Sequence, residues 1–234
     1  MKRNALVLIL FIISFLPFYS QSHKENNILF QVSLFDSLYY GNYNGFYNLN
    51  ELLQYGNFGL GTFDKLDGEM TILNGSVYQF KSDGMIYKPE LSLTTPFACI
   101  VNFIPDYFYK KNNLDKKSFI EYIDGVIINK NYFYAIKLSG RFSFIITRTI
   151  QVQEEPYKIL NEVLKEQLTF EKNNITGTLV GFYFPEYADK INITGYHFHF
   201  ISDDFNFGGH MLDFELEDGE IEIQKINQLN LLLR

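Results

Sequence analysis

The sequence is short of cysteine and of basic residues, and each shortage excludes a class of protein. Cys99 is the single cysteine among 234 residues, so an intramolecular disulfide is excluded and stability must come from packing or from a metal. Its surroundings, Pro96 to Val101, are typical of a buried strand, which argues against a thiol nucleophile. Lys and Arg number 20 against 27 Asp and Glu, a formal net charge of −7. Nucleic acid demands a basic surface, so we expect no nucleic-acid partner.

The N-terminal apolar stretch is too short to span a membrane. Residues 5 to 16 are apolar except for Ser14, whereas a spanning helix needs roughly 20 apolar residues. Lys2 and Arg3 precede the stretch, and the small residue Ser20 follows it. This order is typical of a secretory signal peptide. We therefore predict a signal peptide at residues 1–20, a secreted or periplasmic mature protein, and no stable membrane anchor.

Apolar and aromatic residues are plentiful and arranged as in strands. They make up 47% and 18% of the chain, with 24 Phe and 17 Tyr, which is typical of a β-rich globular protein. Turn signals between alternating apolar segments favour antiparallel pairing. The pattern predicts three hairpins: Glu69 to Lys81 around Asn74-Gly75, Tyr132 to Ile150 around Ser139-Gly140, and His210 to Lys225 around Asp218-Gly219.

Helical patterning is limited to three segments: Leu49 to Tyr55, Leu114 to Val126 behind a possible Asp115 cap, and Pro156 to Gln167. The polar stretch from Gln151 to Pro156 is the best candidate for a boundary. We therefore predict a mixed, β-rich α/β fold with two closely packed subdomains, at residues 28–155 and 156–234, built on β-sheets with a few covering helices.

Three of the four histidines lie within 14 residues, at His197, His199 and His210. The strand period of two places His197 and His199 on one face and the neighbouring aromatic residues on the other. After Gly208-Gly209, His210 begins the next predicted strand, and an antiparallel return could bring it beside the first two. Three neutral imidazoles with an open position are typical of a catalytic zinc site.

The same histidines could be ordinary polar residues on a strand, and for a single histidine that interpretation is favoured. A His-x-His pair followed by a third histidine after two glycines favours metal binding. Iron, manganese or copper could use the same ligands. The absence of thiolates and the predicted secretion favour zinc, so Zn²⁺ is the predicted cofactor.

Two charged residues call for a separate explanation. Strict alternation places Arg148 on one face with Phe142, Phe144 and Ile146. An unpaired cation there is costly, so Arg148 needs a partner such as a carboxylate. A structural ion pair and binding of a substrate carboxylate are equal alternatives. Glu69 follows Asp67-Gly68 at the start of a hairpin, and its spacing alone predicts a solvated turn residue.

Six ordered blocks of residues carry a family resemblance: Tyr55 to Phe63, Leu66 to Glu69, Arg148-Thr149, Gly177 to Phe182, Gly195 to Phe200, and Gly208 to His210. Through these blocks, the chain from about Leu29 to Leu232 resembles bacterial α-acetolactate decarboxylase. The resemblance implies a two-domain α/β fold with mixed sheets, a homodimer, and a zinc ion in the C-terminal subdomain. The implied ligands are His197, His199 and His210.

The resemblance also implies a reaction and roles for three further residues. The family converts 2-acetolactate, 2-hydroxy-2-methyl-3-oxobutanoate, to acetoin and carbon dioxide in acetoin biosynthesis. Zinc would polarise the substrate carbonyl. By position, Arg148 would bind the substrate carboxylate and Thr62 would line the same pocket. Glu69 or Arg148 would supply the proton that completes the product.

The chain departs from the family pattern at its end. Members of the family continue past the last strand into a tail whose glutamate approaches the zinc, whereas this sequence ends at Arg234. We expect no residue to take that role by position. Another acid, such as Asp203 or Glu220, could offset the loss.

Two other functions fit some of these features. A cupin-like metal dioxygenase also begins with a His-x-His pair on a strand, but a glutamate normally follows, where this chain has Ser202, Asp203 and Asp204. A secreted, non-enzymatic zinc-containing binding module would fit the shortened tail. The open three-histidine arrangement, together with Arg148 and Glu69, favours an enzyme acting on a small molecule.

Overall fold

The computed structural model describes residues 27–234, so the predicted signal peptide lies outside the described residues. The strands are β1 (Ile28–Val32), β2 (Tyr47–Asn48), β3 (Phe58–Thr62), β4 (Glu69–Leu73), β5 (Ser76–Phe80), β6 (Ile86–Tyr87), β7 (Thr94–Thr95), β8 (Ala98–Val101), β9 (Tyr107–Asp115), β10 (Phe133–Thr149), β11 (Leu168–Phe184), β12 (Gly195–Ser202), β13 (Gly208–Ile226) and β14 (Gln228–Leu232). The helices are α1 (Phe35–Tyr39), α2 (Leu49–Leu52), α3 (Lys116–Val126) and α4 (Leu160–Val163). Within residues 27–234, no helix has the length and apolar character needed to cross a membrane.

The strands form two main sheets. The first has the order β14-β1-β8-β3-β4-β5-β6, and its β1–β14 pair is parallel while its other pairs are antiparallel. The second is antiparallel, with the order β10-β11-β12-β13-β9. Because β10 also pairs with β13, four of its strands close into a hydrogen-bonded ring. The predicted mixed, β-rich α/β fold is confirmed.

The two sheets share one apolar core. One face of the first sheet, including Phe58, Leu60 and Cys99, packs against Val180 and Phe182 of the second sheet. The opposite face of the first sheet is covered by α2, and α3 covers the far side of the second sheet. Complete burial of one Phe or Leu side chain contributes about 1.5–3 kcal/mol. Burial also raises the pKa of the Cys99 thiol to about 12, so this group stays protonated.

The first predicted hairpin is confirmed. Strands β4 and β5 pair directly and are joined by Asn74 and Gly75, whose φ angles of 52° and 74° suit a type I′ turn.

The other two predicted hairpins are wrong, because β10 and β13 each continue through the glycines that looked like turns. Gly140 lies opposite Gly219 on one side and Gly177 on the other. A Cβ atom on Gly140 would lie 2.2 Å from the carbonyl oxygen of Asp218. The glycines therefore let three long strands approach closely, and they do not reverse the chain.

Two of the predicted helices are confirmed and the third is shorter than predicted. Helix α2 continues as a 3₁₀ turn at Leu53–Tyr55, and Asp115 caps α3 by accepting from the Ser118 amide at 2.7 Å. Helix α4 begins at Leu160, not Pro156. The Tyr43 hydroxyl donates to the Lys158 carbonyl at 2.9 Å, and this contact ties the preceding residues to another part of the chain.

The two sheets divide the chain between Val101 and Tyr107, and β14 then returns to the first sheet. The predicted boundary near residue 155 falls in the connection between β10 and β11, which are paired neighbours. A polar surface connection within a sheet has the same composition as a linker between subdomains, so composition alone does not distinguish the two.

Candidate functional site

The strand register brings the three predicted histidines together. His197 and His199 lie two residues apart on β12, and His210 of β13 lies directly opposite His199. On the other side of β13, Arg148 of β10 lies opposite His210. Directly opposed residues share a face of the sheet. Phe198 points to the opposite face, into the core beneath α3, as the period of two predicted.

The geometry of the histidines fits a metal ion. Their candidate ligand nitrogens all lie within 4.8 Å of one another, and His197 Nε2 is 3.1 Å from His210 Nδ1. Nitrogen ligands on a tetrahedral zinc ion, at about 2.0–2.1 Å from the metal, lie about 3.4 Å apart. Among the described residues, His197 Nδ1 and His199 Nε2 are buried without a hydrogen-bond partner. An unsatisfied atom of this kind costs about 1–3 kcal/mol, and a cation bound at His199 Nε2 can compensate that cost.

Burial keeps these imidazoles neutral. It lowers the pKa of His199 to about 3 and the pKa values of His197 and His210 well below the ordinary value of 6.5. The positive charge of Arg148 lowers all three further. His199 Nδ1 lies 2.7 Å from the Met70 carbonyl, which can only accept, so Nδ1 carries the proton and Nε2 carries the lone pair. Neutral imidazoles are the form that binds a metal.

Glu69 reaches the histidines from the first sheet. Its Oε1 accepts from Arg148 Nη1 at 2.8 Å, and its Oε2 lies 3.5 Å from His199 Nε2. The Glu69 and Arg148 side chains are only 9% and 12% exposed. The solvated position predicted from spacing is therefore wrong, because Glu69 starts β4 of the first sheet, and β4 packs against β12 and β13 of the second sheet. Burial raises the pKa of Glu69 above its ordinary value, and the Arg148 guanidinium opposes that shift.

Arg148 has the carboxylate partner that its position required. The face predicted by strict alternation is not maintained, because the pairing of β10 with β13 shifts register between Phe142 and Phe144 and again after Ile146. These irregularities change which side chains share a face. As a result Phe142 lies in the core while Arg148 lines the site.

Thr62 is the last of the polar residues that line the site. It lies opposite Glu69 in the β3–β4 pair, and its hydroxyl donates to the Gly68 carbonyl at 2.8 Å. That bond fixes the hydroxyl and the turn that leads into Glu69.

These six residues line one cavity. Apolar side chains complete the lining and form what we term the apolar wall: Phe35, Leu38, Leu66, Phe97, Ile150, Leu160 and Ile193. All seven lie in helices, 3₁₀ turns or connections, outside the strands. The sequence reasoning missed them, since strand periodicity gives no signal for residues outside strands.

The acids considered as substitutes for a tail glutamate lie elsewhere. Within residues 27–234, neither Asp203 nor Glu220 lines the cavity. Glu220 forms an exposed ion pair with Lys110 at 2.7 Å. Asp204, where a cupin-like site would need a ligand, accepts from the Ser202 hydroxyl at 2.6 Å.

Known proteins resemble this chain over most of its length. The sequence profile of the alpha-acetolactate decarboxylase family matches residues 29–234. The chain is 41% identical over 200 residues to the alpha-acetolactate decarboxylase of Methanosarcina mazei, covering 85% of this chain and 69% of that protein. It is 39% identical over 211 residues to the Bacillus licheniformis enzyme, covering 90% and 83%. The crystal structure of acetolactate decarboxylase from Bacillus subtilis subspecies spizizenii matches with a TM-score of 0.86 and 40% identity, covering 88% of this chain and 89% of that one.

Proposed function

Since this chain belongs to the α-acetolactate decarboxylase family, we propose that it uses zinc to convert 2-acetolactate to acetoin and carbon dioxide in acetoin biosynthesis. One observation carries the zinc assignment: three neutral, closely spaced imidazoles meet a buried Glu69–Arg148 pair in a single cavity. This combination provides ligands for a dication and a cation for the substrate carboxylate.

His197, His199 and His210 would hold the metal. Zinc suits a set of three imidazole ligands with an open position. Cys99, the one thiol of the chain, is buried in the core shared by the two sheets. When bound, zinc supplies Lewis-acid polarisation of the ketone oxygen of the substrate.

Arg148 would bind the substrate carboxylate. Its guanidinium has five N–H donors in a fixed plane, and Glu69 accepts from one of its nitrogens. Glu69 therefore orients the group while other donors remain for the substrate. The bond between C1 and C2 then breaks, carbon dioxide leaves, and the electron pair stays on C2, in conjugation with the ketone.

Glu69 would return a proton to C2. Burial raises its pKa, so the carboxylate that pairs with Arg148 can take up the proton that it then donates. Its Oε1 accepts from Arg148, while Oε2 lies towards His199 in the metal cluster. Thr62, fixed by its bond to Gly68, would form part of the substrate-binding surface. Transfer of the proton from the carboxyl to C2 gives acetoin.

A paired assay tests this function. The purified protein is analysed for metal by elemental analysis, and acetoin release from racemic 2-acetolactate is measured with and without a chelator. We expect near-stoichiometric zinc and acetoin production that the chelator abolishes and added zinc restores. Acetoin production that persists after complete metal removal would contradict the zinc dependence, and bound zinc without acetoin would contradict the assigned reaction.

Two further properties form part of the proposal. The basic start, apolar stretch and small residue in residues 1–20 support export to the periplasm or the medium, and the family resemblance supports a homodimer. N-terminal sequencing of the protein recovered outside the cytoplasm tests the first property, and sedimentation of the purified protein tests the second.

A further inference from the structure

Two segments that contribute to the apolar wall are joined to each other. Helix α1 provides Phe35 and Leu38, and the connection before β12 provides Ile193. The Phe35 amide donates to the Ile191 carbonyl, and the Asp36 amide donates to the Lys190 carbonyl, each at 3.0 Å. The helix and the connection therefore form one unit at the cavity.

A buried pair of amide side chains connects this unit to the first sheet. Gln31 of β1 is fully buried and Asn192 is 1% exposed. Gln31 Nε2 donates to the Ile191 carbonyl at 2.6 Å, and Asn192 Nδ2 donates to Gln31 Oε1 at 2.8 Å. Asn192 Oδ1 in turn accepts from the Ile193 amide at 2.7 Å. A continuous series of hydrogen bonds therefore runs from β1 to the backbone of Ile193.

The two amides do more than fill space. Burying polar groups costs free energy unless every group is paired, and Gln31 and Asn192 pair with each other, with the Ile191 carbonyl and with the Ile193 amide. A fully paired buried network fixes one arrangement of the segments that it joins. The segment fixed in this case carries a residue of the apolar wall.

We propose that Gln31 and Asn192 fix the position of Ile193, and that Ile193 limits the length of the alkyl groups that the cavity accepts. This inference rests on the proposed function. The polar groups of 2-acetolactate are assigned to Arg148 and the metal ligands, which leaves its two methyl groups for the apolar wall. Ile193 is thus a specificity-determining residue, and Gln31 and Asn192 are positioning residues.

The first experiment compares substrates that differ by one methylene. Acetolactate is compared with the homologue that carries ethyl on C2 and with the homologue in which propionyl replaces acetyl. For Ile193→Ala, we expect the ratio of kcat/KM for at least one homologue to kcat/KM for acetolactate to rise about tenfold, the usual effect of one methylene in an apolar pocket. Ile193→Val should shift the same ratio less. Loss of folded protein lowers both values equally, so the ratio reports on the cavity.

The matched control is Ile175→Ala, which truncates another partly buried isoleucine, on β11 and outside the cavity lining. We expect it to leave the substrate ratios unchanged. Asn192→Ala should shift the same ratio in the same direction as Ile193→Ala, with metal content unchanged. The double variant should add little, since both changes act through one side chain.

The outcomes separate this inference from the proposed function. Unchanged ratios for Ile193→Ala and Ile193→Val, in an enzyme whose wild type releases acetoin, would overturn the inference alone. Fully additive shifts for Asn192→Ala and Ile193→Ala would overturn the positioning role of the amide pair. A wild-type protein that releases no acetoin from acetolactate would overturn the proposed function and the inference together.

Discussion

Replacing Arg148 with alanine leaves the Glu69 carboxylate buried without the guanidinium that pairs with it at 2.8 Å. With both side chains at most 12% exposed, water can replace little of the lost interaction. Removing one partner of a buried ion pair costs about 3–5 kcal/mol in the free energy of unfolding. Glu69 can relieve part of this cost by taking up a proton, so we expect a loss of about 3 kcal/mol, near the lower limit.

The effect of Arg148→Ala on turnover should exceed its effect on metal binding. Removal of a preorganised donor from an active site typically lowers kcat by about 10²–10³-fold. The three imidazoles remain in place, so elemental analysis should find the metal content unchanged. Acetoin kinetics, metal analysis and urea unfolding of one preparation measure the three quantities together.

Arg141→Ala is the matched control because Arg141 lies on the same strand, β10. Its side chain is 58% exposed and pairs with Glu217 and Asp218 at the surface. Exposed pairs contribute about 0–1 kcal/mol, so stability and kinetics should change little. If Arg148→Ala has the same kcat/KM as Arg141→Ala at full metal content, the reasoning that places Arg148 on the substrate is refuted.

Three further outcomes are expected. Substituting His197 with alanine should remove metal and acetoin release together, and elemental analysis that still finds full zinc would exclude it as a ligand. A Cβ on Gly140 would lie 2.2 Å from the Asp218 carbonyl oxygen, so Gly140→Ala should lower the free energy of unfolding by about 1–3 kcal/mol in a urea titration. Gly125 lies in helix α3 with open space around it, so the control Gly125→Ala should raise the free energy of unfolding by up to about 1 kcal/mol. In chelator, His199 of the unfolded chain binds a proton as the pH falls below 6.5, whereas buried His199 of the folded chain, with a pKa of about 3, stays neutral. Stability should therefore fall as the pH is lowered, by about 2 kcal/mol from this residue between pH 7 and pH 5, and an unchanged urea midpoint would count against neutral buried imidazoles.

The cluster of three histidines could be predicted because it depends on local sequence. The period of two fixes His197 and His199 on one face of β12 whatever the rest of the fold does. The turn between β12 and β13 spans only residues 203–207, so β13 returns beside β12 and places His210 opposite His199. A short connection leaves few alternative registers.

The Glu69–Arg148 pair could not be predicted from the same pattern. The two residues are 79 positions apart and belong to different sheets, so their contact depends on how the sheets pack. The residues next to Glu69 predict only the turn that precedes it and give no information on its distant partner. The family resemblance placed Glu69 near the site, because related proteins share the same packing of sheets. Local periodicity contains no information about that packing.

The wrong hairpins have a related cause. A glycine after a polar residue is read as a turn, but glycine also lets strands approach closely where a Cβ would collide. At Gly140 the glycine serves the close approach of strands and not a turn, because the backbones of two neighbouring strands lie directly beside it. Nothing in the ten residues around Gly140 distinguishes the roles, since the neighbouring glycines, Gly177 and Gly219, are distant in sequence.

The division of the cavity between strands and connections has a consequence for substrate range. The three histidines and Arg148 lie on strands, where a shift of one residue would place an imidazole on the opposite face, so their geometry tolerates little change. The apolar wall lies in helices and connections, which accept substitution more readily. Changes in accepted alkyl length can therefore arise in the apolar wall while the three histidines stay in place. Ile193 is the exception within the apolar wall. Although it lies in a connection, the Gln31–Asn192 pair hydrogen-bonds its backbone to β1 and holds it as firmly as a residue in a strand.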